Sequence, residues 1–251
     1  MTTGYGDTAE VREMLSPSLN VRENRALASE IKFVVTAEQA EGIAGWARTR
    51  LGADPNAGGE NDVYRITSLY FDTDGFDVFH RNGSFGRGKY RIRRYDTAKS
   101  AFLERKLKTH NLVCKRRTKV KIRELDRLSN TGRDRDWEGD WFHRRLAARE
   151  LKPVCQVTYL RTARVSMTEG GPIRLTLDRA IRTAAIDGPG FKAIEEGVPL
   201  AGEPLILELK FCAPFPGLFR TLVDGFALVP APMSKYRAAA ATLGLVSPRL
   251  D

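Results

Sequence analysis

Cysteine is scarce in this chain of 251 residues: Cys114, Cys155 and Cys212 are far apart, odd in number and without a CxxC pair. That pattern argues against a disulfide scaffold and against a cysteine-built zinc site. Long apolar runs are missing too, none approaching the roughly 18 residues a membrane-spanning helix needs. The opening stretch MTTGYGDTAEVRE has neither the basic nor the apolar region of a secretory signal. These absences predict a soluble protein of a reducing compartment, with a cytoplasmic location expected. Histidine is equally sparse: His80, His110 and His143 are isolated in sequence and read as surface or structural residues. No Walker phosphate loop and no GxSxG elbow is present. The glycine-rich run Gly83-Ser84-Phe85-Gly86-Arg87-Gly88 lies between strand candidates and reads as a hairpin loop.

What the chain has in excess is positive charge. Lysine and arginine number 41 against 31 acids, a formal charge of +10 and a pI near 9.7. Such a balance points to a polyanionic partner: nucleic acid, an anionic membrane surface or a phosphorylated small molecule. Its placement must choose among them. Hydrophobic residues make up 42%, enough for a substantial core.

Residues 1–25 are polar and irregular and read as a flexible lead-in; 26–251 read as one domain. The run EIKFVV alternates as a strand. Thr36 then stands as an N-cap with Gln39 three residues on, which predicts a capping box and a helix to about Leu51. Further strands are predicted near 64–72, 88–95, 101–108, 112–123, 154–166, 172–179 and 204–211, and helices over 134–150, 216–228 and 235–245. The stretch 187–204 reads as a loop with room for a short strand. An α+β domain dominated by antiparallel strands fits this order.

Residues two apart on a strand share a face, so each strand divides into two sets. Glu30 and Lys32 oppose Ile31 and Phe33. Lys89, Arg91 and Arg93 oppose Tyr90 and Ile92. Glu104, Lys106 and Lys108 oppose Leu103 and Leu107, while Lys115, Arg117, Lys119 and Lys121 oppose Cys114, Val120 and Ile122. Tyr159 and Arg161 oppose Thr158 and Leu160; Arg174, Thr176 and Asp178 oppose Ile173, Leu175 and Leu177. Glu208 and Lys210 oppose Leu207 and Leu209. One face is apolar and the other ionic in seven strands. Any single strand of this kind is most simply a half-buried sheet with a solvated face. KYRIRR and KRRTKVK, however, set like charges about 7 Å apart, a repulsion that folding alone does not call for. A bound polyanion would relieve it. If the sheet closes with the ionic face inward, about eight strands make a barrel lumen fit for one small ligand, coated outside by the helices.

Such a lumen suits phosphoryl transfer, which needs phosphates held in line and their charge offset by Arg, Lys and metal. The carboxylates on the same face, Glu30, Glu104, Asp178 and Glu208, are either ligands for Mg²⁺ or Mn²⁺ or spacers among the cations. Glu208 is the foremost of them.

The succession SLYFD (68–72), KYRIRRY (89–95), FLERKLK (102–108), KRR (115–117), YLR (159–161), IRLTLD (173–178), LELKF (207–211) and SKY (234–236) resembles the VTC domain. That domain is the catalytic part of polyphosphate polymerases in the triphosphate tunnel metalloenzyme superfamily. Each motif is short, but eight occur in order between Glu30 and Tyr236. The resemblance implies an eight-stranded antiparallel β-barrel tunnel in which ATP's γ-phosphate passes to a growing polyphosphate chain. It implies phosphate binding by Lys32, Lys89, Arg91, Arg93, Lys106, a member of Lys115–Arg117 and Lys210, with Arg81 a weaker match. Tyr159 and Arg161 match the YLR-type strand, Arg161 as a further phosphate ligand; Arg174 joins the set from the ionic face of its strand. Glu208 matches the metal-binding carboxylate, for Mn²⁺ or Mg²⁺. Ser234 and Lys235 match a pair beside the transferring phosphate, and with Arg161 they are the catalytic candidates.

The chain has no room for the phosphate-sensing SPX domain or the membrane helices of the eukaryotic polymerase complex. No membrane insertion by the chain itself is expected, and a membrane-protein partner stays open, as does the oligomeric state. The sister CYTH group carries Glu-x-Glu-x-Lys on its first strand. Here Ala28-Ser29-Glu30-Ile31-Lys32 lacks the first acid, which favours the polymerase branch. Two alternatives remain: an inorganic or nucleoside triphosphatase of the same fold, and a non-catalytic polyphosphate- or RNA-binding module. Base recognition of single-stranded RNA would want exposed aromatics beside the cations; Tyr90 and Tyr95 are the candidates, and Tyr90 falls on the apolar face.

Overall fold

Alternating apolar and ionic residues give strands wherever one face can be buried, and eleven strands form among the described residues. A computed structural model describes residues 23–26, 28–55, 62–109, 112–132, 134–212 and 214–246. The strands are β1 (Glu23–Ala26), β2 (Ala28–Val35), β3 (Gly52–Ala53), β4 (Val63–Asp72), β5 (Gly88–Tyr95), β6 (Ser100–Thr109), β7 (Leu112–Lys121), β8 (Lys152–Thr168), β9 (Gly171–Ala185), β10 (Val198–Pro199) and β11 (Leu205–Cys212). They make one antiparallel sheet in the order β1-β7-β6-β5-β4-β8-β9-β11-β2, with β3 on β8 and β10 on β9.

The fold is α+β and the sheet antiparallel, as expected. The eight-stranded closed barrel is not what the backbone pairing forms: among the described residues nine strands lie on a path that is not hydrogen-bonded into a ring, and two more pair beside it. Its two ends are nonetheless neighbours in the chain. β1 pairs with β7, β2 pairs with β11, and one residue separates Ala26 from Ala28.

Five α-helices accompany the sheet among the described residues: α1 (Ala37–Arg50), α2 (Asp77–His80), α3 (Asp140–Ala147), α4 (Gly217–Gly225) and α5 (Lys235–Thr242). α1 starts as its sequence dictates. Gln39 N–H donates to Thr36 Oγ1 at 3.1 Å and Thr36 N–H to Gln39 Oε1 at 3.0 Å, so two end groups of the helix satisfy each other. Its residues Ala40, Ile43 and Ala47 turn to the sheet and meet Phe33, Leu175, Leu207 and Leu209, with Phe219 and Leu222 of α4. Ile43 is fully buried, which stabilises the packing by roughly 1.5–3 kcal/mol. A second core gathers Ile66, Leu69, Ile92 and Leu103 under Trp141 and Phe142 of α3 and Ala239 and Ala240 of α5. The apolar faces thus lie under helices, and the ionic faces turn inward.

Several boundaries differ from expectation, each for a local reason. The strand over 112–123 stops at Lys121, where Glu124 accepts the Lys121 N–H at 2.9 Å and a 3₁₀ helix (Ile122–Ser129) begins. The helix over 134–150 shortens to α3. Gly139 sits so close to the Trp137 ring that an added Cβ would lie 2.5 Å from it, and the chain turns there instead. The hairpin loop at 83–88 is a 3₁₀ turn (Gly83–Arg87) following α2. β9 runs on past 179 to Ala185, its pairing with β8 resuming beyond a register shift between Thr158 and Leu160. β1 and β3 carry no alternation long enough to be read. Most of the lead-in, 1–22, and His110 lie outside the described residues.

Candidate active site

Three strands set the cations in rows. The β5–β6–β7 register opposes Lys89, Lys106 and Lys115 in one row and Arg91, Glu104 and Arg117 in the next. Like charges directly across strands repel, so the first row needs anions from elsewhere. Lys106 reaches Glu30 of β2 at 3.4 Å, and Lys115 leans toward Glu104 at 3.6 Å.

Glu104 is the hub of the second row. It accepts Arg91 Nε at 2.6 Å on one oxygen and pairs with Arg117 Nε at 2.9 Å on the other. Burial would raise its carboxyl, but Arg91, Lys115, Arg93 and Arg117 outweigh it and hold it well below the usual carboxylate range. Glu104 is therefore a spacer that keeps guanidinium groups apart and oriented, with no oxygen free of cations. Arg93 is buried and donates to Ser68 Oγ at 3.1 Å and Tyr159 Oη at 3.3 Å.

On the facing wall, Arg161 grips Asp178 with two prongs, Nε to Oδ1 at 2.6 Å and Nη2 to Oδ2 at 2.8 Å. Lys235 completes the group with its ammonium 2.5 Å from Asp178 Oδ2 and 4.8 Å from the Tyr159 ring centroid. Asp178 is fully buried. Burial raises its carboxyl, yet Arg161 and Lys235 bring it below the ordinary value. The aspartate is thus saturated by cations. Lys235 owes its place to its neighbours in SKY. Ser234 caps α5, accepting the Arg237 N–H, and also accepts Lys89 Nζ at 3.3 Å. Tyr236 donates to the buried Asp72 at 2.5 Å.

Glu208 and Glu30 form the third group. Lys210 Nζ lies 2.8 Å and Lys32 Nζ 3.5 Å from Glu208, and Lys32 is also 3.0 Å from Glu30. Burial and the nearby Glu208 push the Glu30 carboxyl up, but Lys210, Lys106 and Lys32 bring it down on balance. Burial also opposes ionisation of Glu208, and Lys210, Lys32 and Arg161 overcome it, holding Glu208 well below the ordinary value. Among the described residues, no cluster of three or more His, Cys, Asp or Glu side chains could cage a metal. Glu30 and Glu208 are paired with lysines here, and as two ionised carboxylates they match a hard divalent cation in donor chemistry, because Mg²⁺ commonly takes one or two carboxylates and completes its shell with water and phosphate oxygens.

The structure thus brings together Lys32, Lys89, Arg91, Arg93, Lys106, Lys115, Arg117, Tyr159, Arg161, Lys210, Ser234, Lys235 and Glu208. Arg174 is drawn aside: it pairs with Asp54 and donates to Tyr64 Oη at 2.9 Å. Arg81 is exposed beyond the rows of cations, at the rim of a cavity it shares with Lys89. Sequence reading gave two phenols, Tyr70 and Tyr95, no place among the phosphate-site residues. Tyr70 faces Arg91, Arg93, Lys89 and Lys235, which together overcome burial and lower its hydroxyl. Tyr95 is likewise lowered, to about 8, because Arg93 and Arg117 outweigh its burial. Tyr70 lies two residues beyond Ser68 on the same strand face, and that spacing was the available signal.

A model of the VTC domain matches residues 27–244. No curated protein matches the sequence. Among solved structures, a candidate adenylate cyclase from Bacillus halodurans is similar at 16% identity over 83% of this chain and 94% of its own, with a TM-score of 0.50. A candidate adenylyl cyclase from Hippeastrum, described as having a dominant triphosphatase activity, is similar at 14% identity over 88% and 98%, TM-score 0.49. A Pyrococcus horikoshii protein is similar at 12% identity over 87% and 98%, TM-score 0.45. At such identity the first likeness concerns the fold alone. No helix among the described residues is long and apolar enough to cross a membrane.

Proposed function

The chain belongs to the VTC domain family, and from that premise we propose that it is a metal-dependent polyphosphate polymerase drawing on ATP. The reading takes the sheet as a closed tunnel and the chain from residue 26 onward as a single domain. One observation carries it. Cations from β2, β5, β6, β7, β8, β11 and α5 converge on one lumen, and the acids among them are held ionised by the cations themselves.

In this reading the lumen lays out the triphosphate and the polyphosphate end to end. Arg91, Arg93 and Arg161 present planar donors to phosphate oxygens, and Lys32, Lys89, Lys106, Lys115 and Lys210 add point charges. Lys235, steadied by Asp178, and Ser234 stand beside the transferred group. A terminal oxygen of the polyphosphate attacks the γ-phosphorus, the bond to the β,γ-bridging oxygen breaks, and ADP leaves with its electron pair. Charge stabilisation supplies most of the catalysis. Glu208, with Glu30 beside it, would hold Mg²⁺ or Mn²⁺, whose positive charge offsets that of the phosphates. The partners are then ATP and polyphosphate, met in the cytoplasm.

A second reading, an inorganic or nucleoside triphosphatase, draws on the open cavity beside Lys89 and Ser234, through which water could compete for the γ-phosphate. Purified protein incubated with ATP and Mn²⁺ or Mg²⁺, with products run on a gel stained for polyphosphate, decides between them. A ladder that disappears in Glu208→Ala and Lys235→Ala is expected. Free phosphate without a ladder supports the triphosphatase. Tight triphosphate binding without turnover leaves a non-catalytic polyphosphate-binding module.

A further inference from the structure

Of the six lysines gathered in the site, Lys89 alone has no carboxylate within ion-pair distance among the described residues. Lys32 reaches Glu30 and Glu208, Lys106 reaches Glu30, and Lys115 leans toward Glu104. Lys210 is paired with Glu208 and Lys235 with Asp178. Lys89 donates instead to a hydroxyl, Ser234 Oγ, at 3.3 Å. Its place in the sheet explains the difference. Lys106 stands directly across from it, Lys115 is next in the same row, and Arg91 follows two residues on along the same strand face.

The cavity that Lys89 lines, about 750 Å³ in volume, does not supply the missing anion. Glu30 is the one carboxylate in that lining, and three other lysines already share it: Lys32 at 3.0 Å, Lys106 at 3.4 Å and Lys210 at 3.8 Å. The remaining ionisable groups of the lining, Lys32, His80, Arg81 and Arg237, are basic. Desolvation first, and then Lys32, Arg91 and Lys106, outweigh an opposing pull from Tyr70 and bring the Lys89 ammonium down to about 8. An amine set among like charges sheds its proton more readily, and a lysine that is neutral near physiological pH is a nucleophile. Lys89 is also exposed, so a reagent in the cavity can reach it.

We propose that Lys89 is an acylation site whose donor is an acyl phosphate, a mixed anhydride of a carboxylic acid and phosphoric acid. Arg91 and Lys106 beside it hold the donor's phosphate, and holding it there raises the effective concentration of the carbonyl at the amine. The neutral Nζ attacks the carbonyl carbon and the amide C–N bond forms. The bond from that carbon to the bridging oxygen breaks, and phosphate leaves with the electron pair and takes up the proton that the nitrogen loses. Each acyl group removes one cation from the row, so the modified protein binds triphosphate more weakly. The inference rests on the lumen binding phosphates and is indifferent to whether the protein extends polyphosphate or hydrolyses triphosphate.

The test treats the full chain with acetyl phosphate and follows acetyl-lysine at each position by mass spectrometry. Lys89 is expected to react on the order of tenfold faster than Lys99 and Lys152, which are exposed outside the lumen, because more of it is neutral amine. Tripolyphosphate should suppress the reaction at Lys89 and leave Lys99 and Lys152 unchanged. Acetic anhydride, which carries no phosphate, should favour Lys89 less than acetyl phosphate does. Lys89→Arg keeps the charge and removes the site. After the same treatment it should retain its affinity for tripolyphosphate in calorimetric titration, while the unaltered protein loses about tenfold. Equal rates at the three lysines would overturn the proposal, and so would a reaction at Lys89 that ignores tripolyphosphate and runs equally well with the anhydride. Equal loss of affinity in both proteins would move the effect to another lysine and overturn the role given to Lys89. If the untreated protein fails to bind tripolyphosphate, the phosphate-binding lumen falls and takes this inference with it.

Discussion

Lys106 Nζ lies 3.4 Å from Glu30 Oε2, although their strands, β6 and β2, stand near opposite ends of the hydrogen-bonded path. Such a contact requires the sheet to curl until its two ends face each other. The curl turns seven ionic strand faces toward a common interior, where charges that would otherwise be solvated must satisfy one another. Cations outnumber acids there. The central ion pairs around Glu104, Asp178 and Glu208 meet only part of that excess, and the rest is available to a bound polyanion.

Binding should therefore stabilise the protein well beyond a salt effect. A ligand that occupies only the folded lumen adds about 2.7 kcal/mol at a concentration one hundred times its Kd, several degrees in Tm for a chain of this size. Thermal denaturation with tripolyphosphate is expected to show that rise, and monovalent salt of equal ionic strength is expected to show little. Equal shifts would mean that the charges are merely screened and that no preorganised lumen exists.

Asp178→Asn should be the most damaging single change in the lumen. It leaves Arg161 and Lys235 buried without their shared anion, and breaking a buried ionic group by removing one partner costs about 3–5 kcal/mol. Chemical denaturation should register that loss. Tripolyphosphate should recover part of it, since phosphate oxygens can take the place of the missing carboxylate. A loss that the anion does not touch would place the Arg161–Lys235 pair out of reach of the ligand.

Much of this was legible in the sequence, because strand alternation is a direct consequence of backbone geometry. The ionic faces of β2, β5, β6, β7, β9 and β11 could be written down residue by residue, and the capping box at Thr36 announced α1. Two things were not legible. Which carboxylate faces which cation across the sheet depends on elements far apart in sequence: nothing local couples Lys106 to Glu30, or Lys235 to Asp178. Arg174 looked equivalent to its neighbours and is drawn off by Asp54 and Tyr64, which come from a different loop and strand. Tyr70 shares its strand face with Ser68, which accepts from Arg93, but β4 is buried along most of its length, so its alternation does not separate a polar face from an apolar one.

Tyr236→Phe tests whether SKY acts through its third residue. The phenol donates to Asp72, which also holds the start of α2, so α5 and α2 share one buried carboxylate. Removing the hydroxyl should cost about 1–3 kcal/mol for the unpaired acceptor. As a positioning residue it should lower kcat for polyphosphate synthesis more than it raises KM for ATP. A change confined to stability, with kcat and KM both intact, would reduce Tyr236 to packing.

Stability should rise with pH in the alkaline range. Burial, reinforced by neighbouring cations, brings Lys115 down to about 8, and Lys89, crowded by Lys32, Arg91 and Lys106, also to about 8. Tyr95 also falls to about 8 as Arg93 and Arg117 outweigh its burial. Between about 8 and about 10 the unfolded chain holds protons on these three groups that the folded chain has released. The unfolded state binds more protons there, so folding gains stability as pH rises through that window and loses it again as pH falls through 8. The Tyr64 phenol, up to about 12 through burial, opposes the trend only at higher pH. Ligand-free protein should thus melt at a higher temperature near pH 9.5 than near pH 7.5. The extra stability conferred by tripolyphosphate should shrink over the same interval, because the lysines that attract it lose their charge. A Tm that falls while the tripolyphosphate shift stays constant would show that Lys89 and Lys115 are not crowded into one lumen.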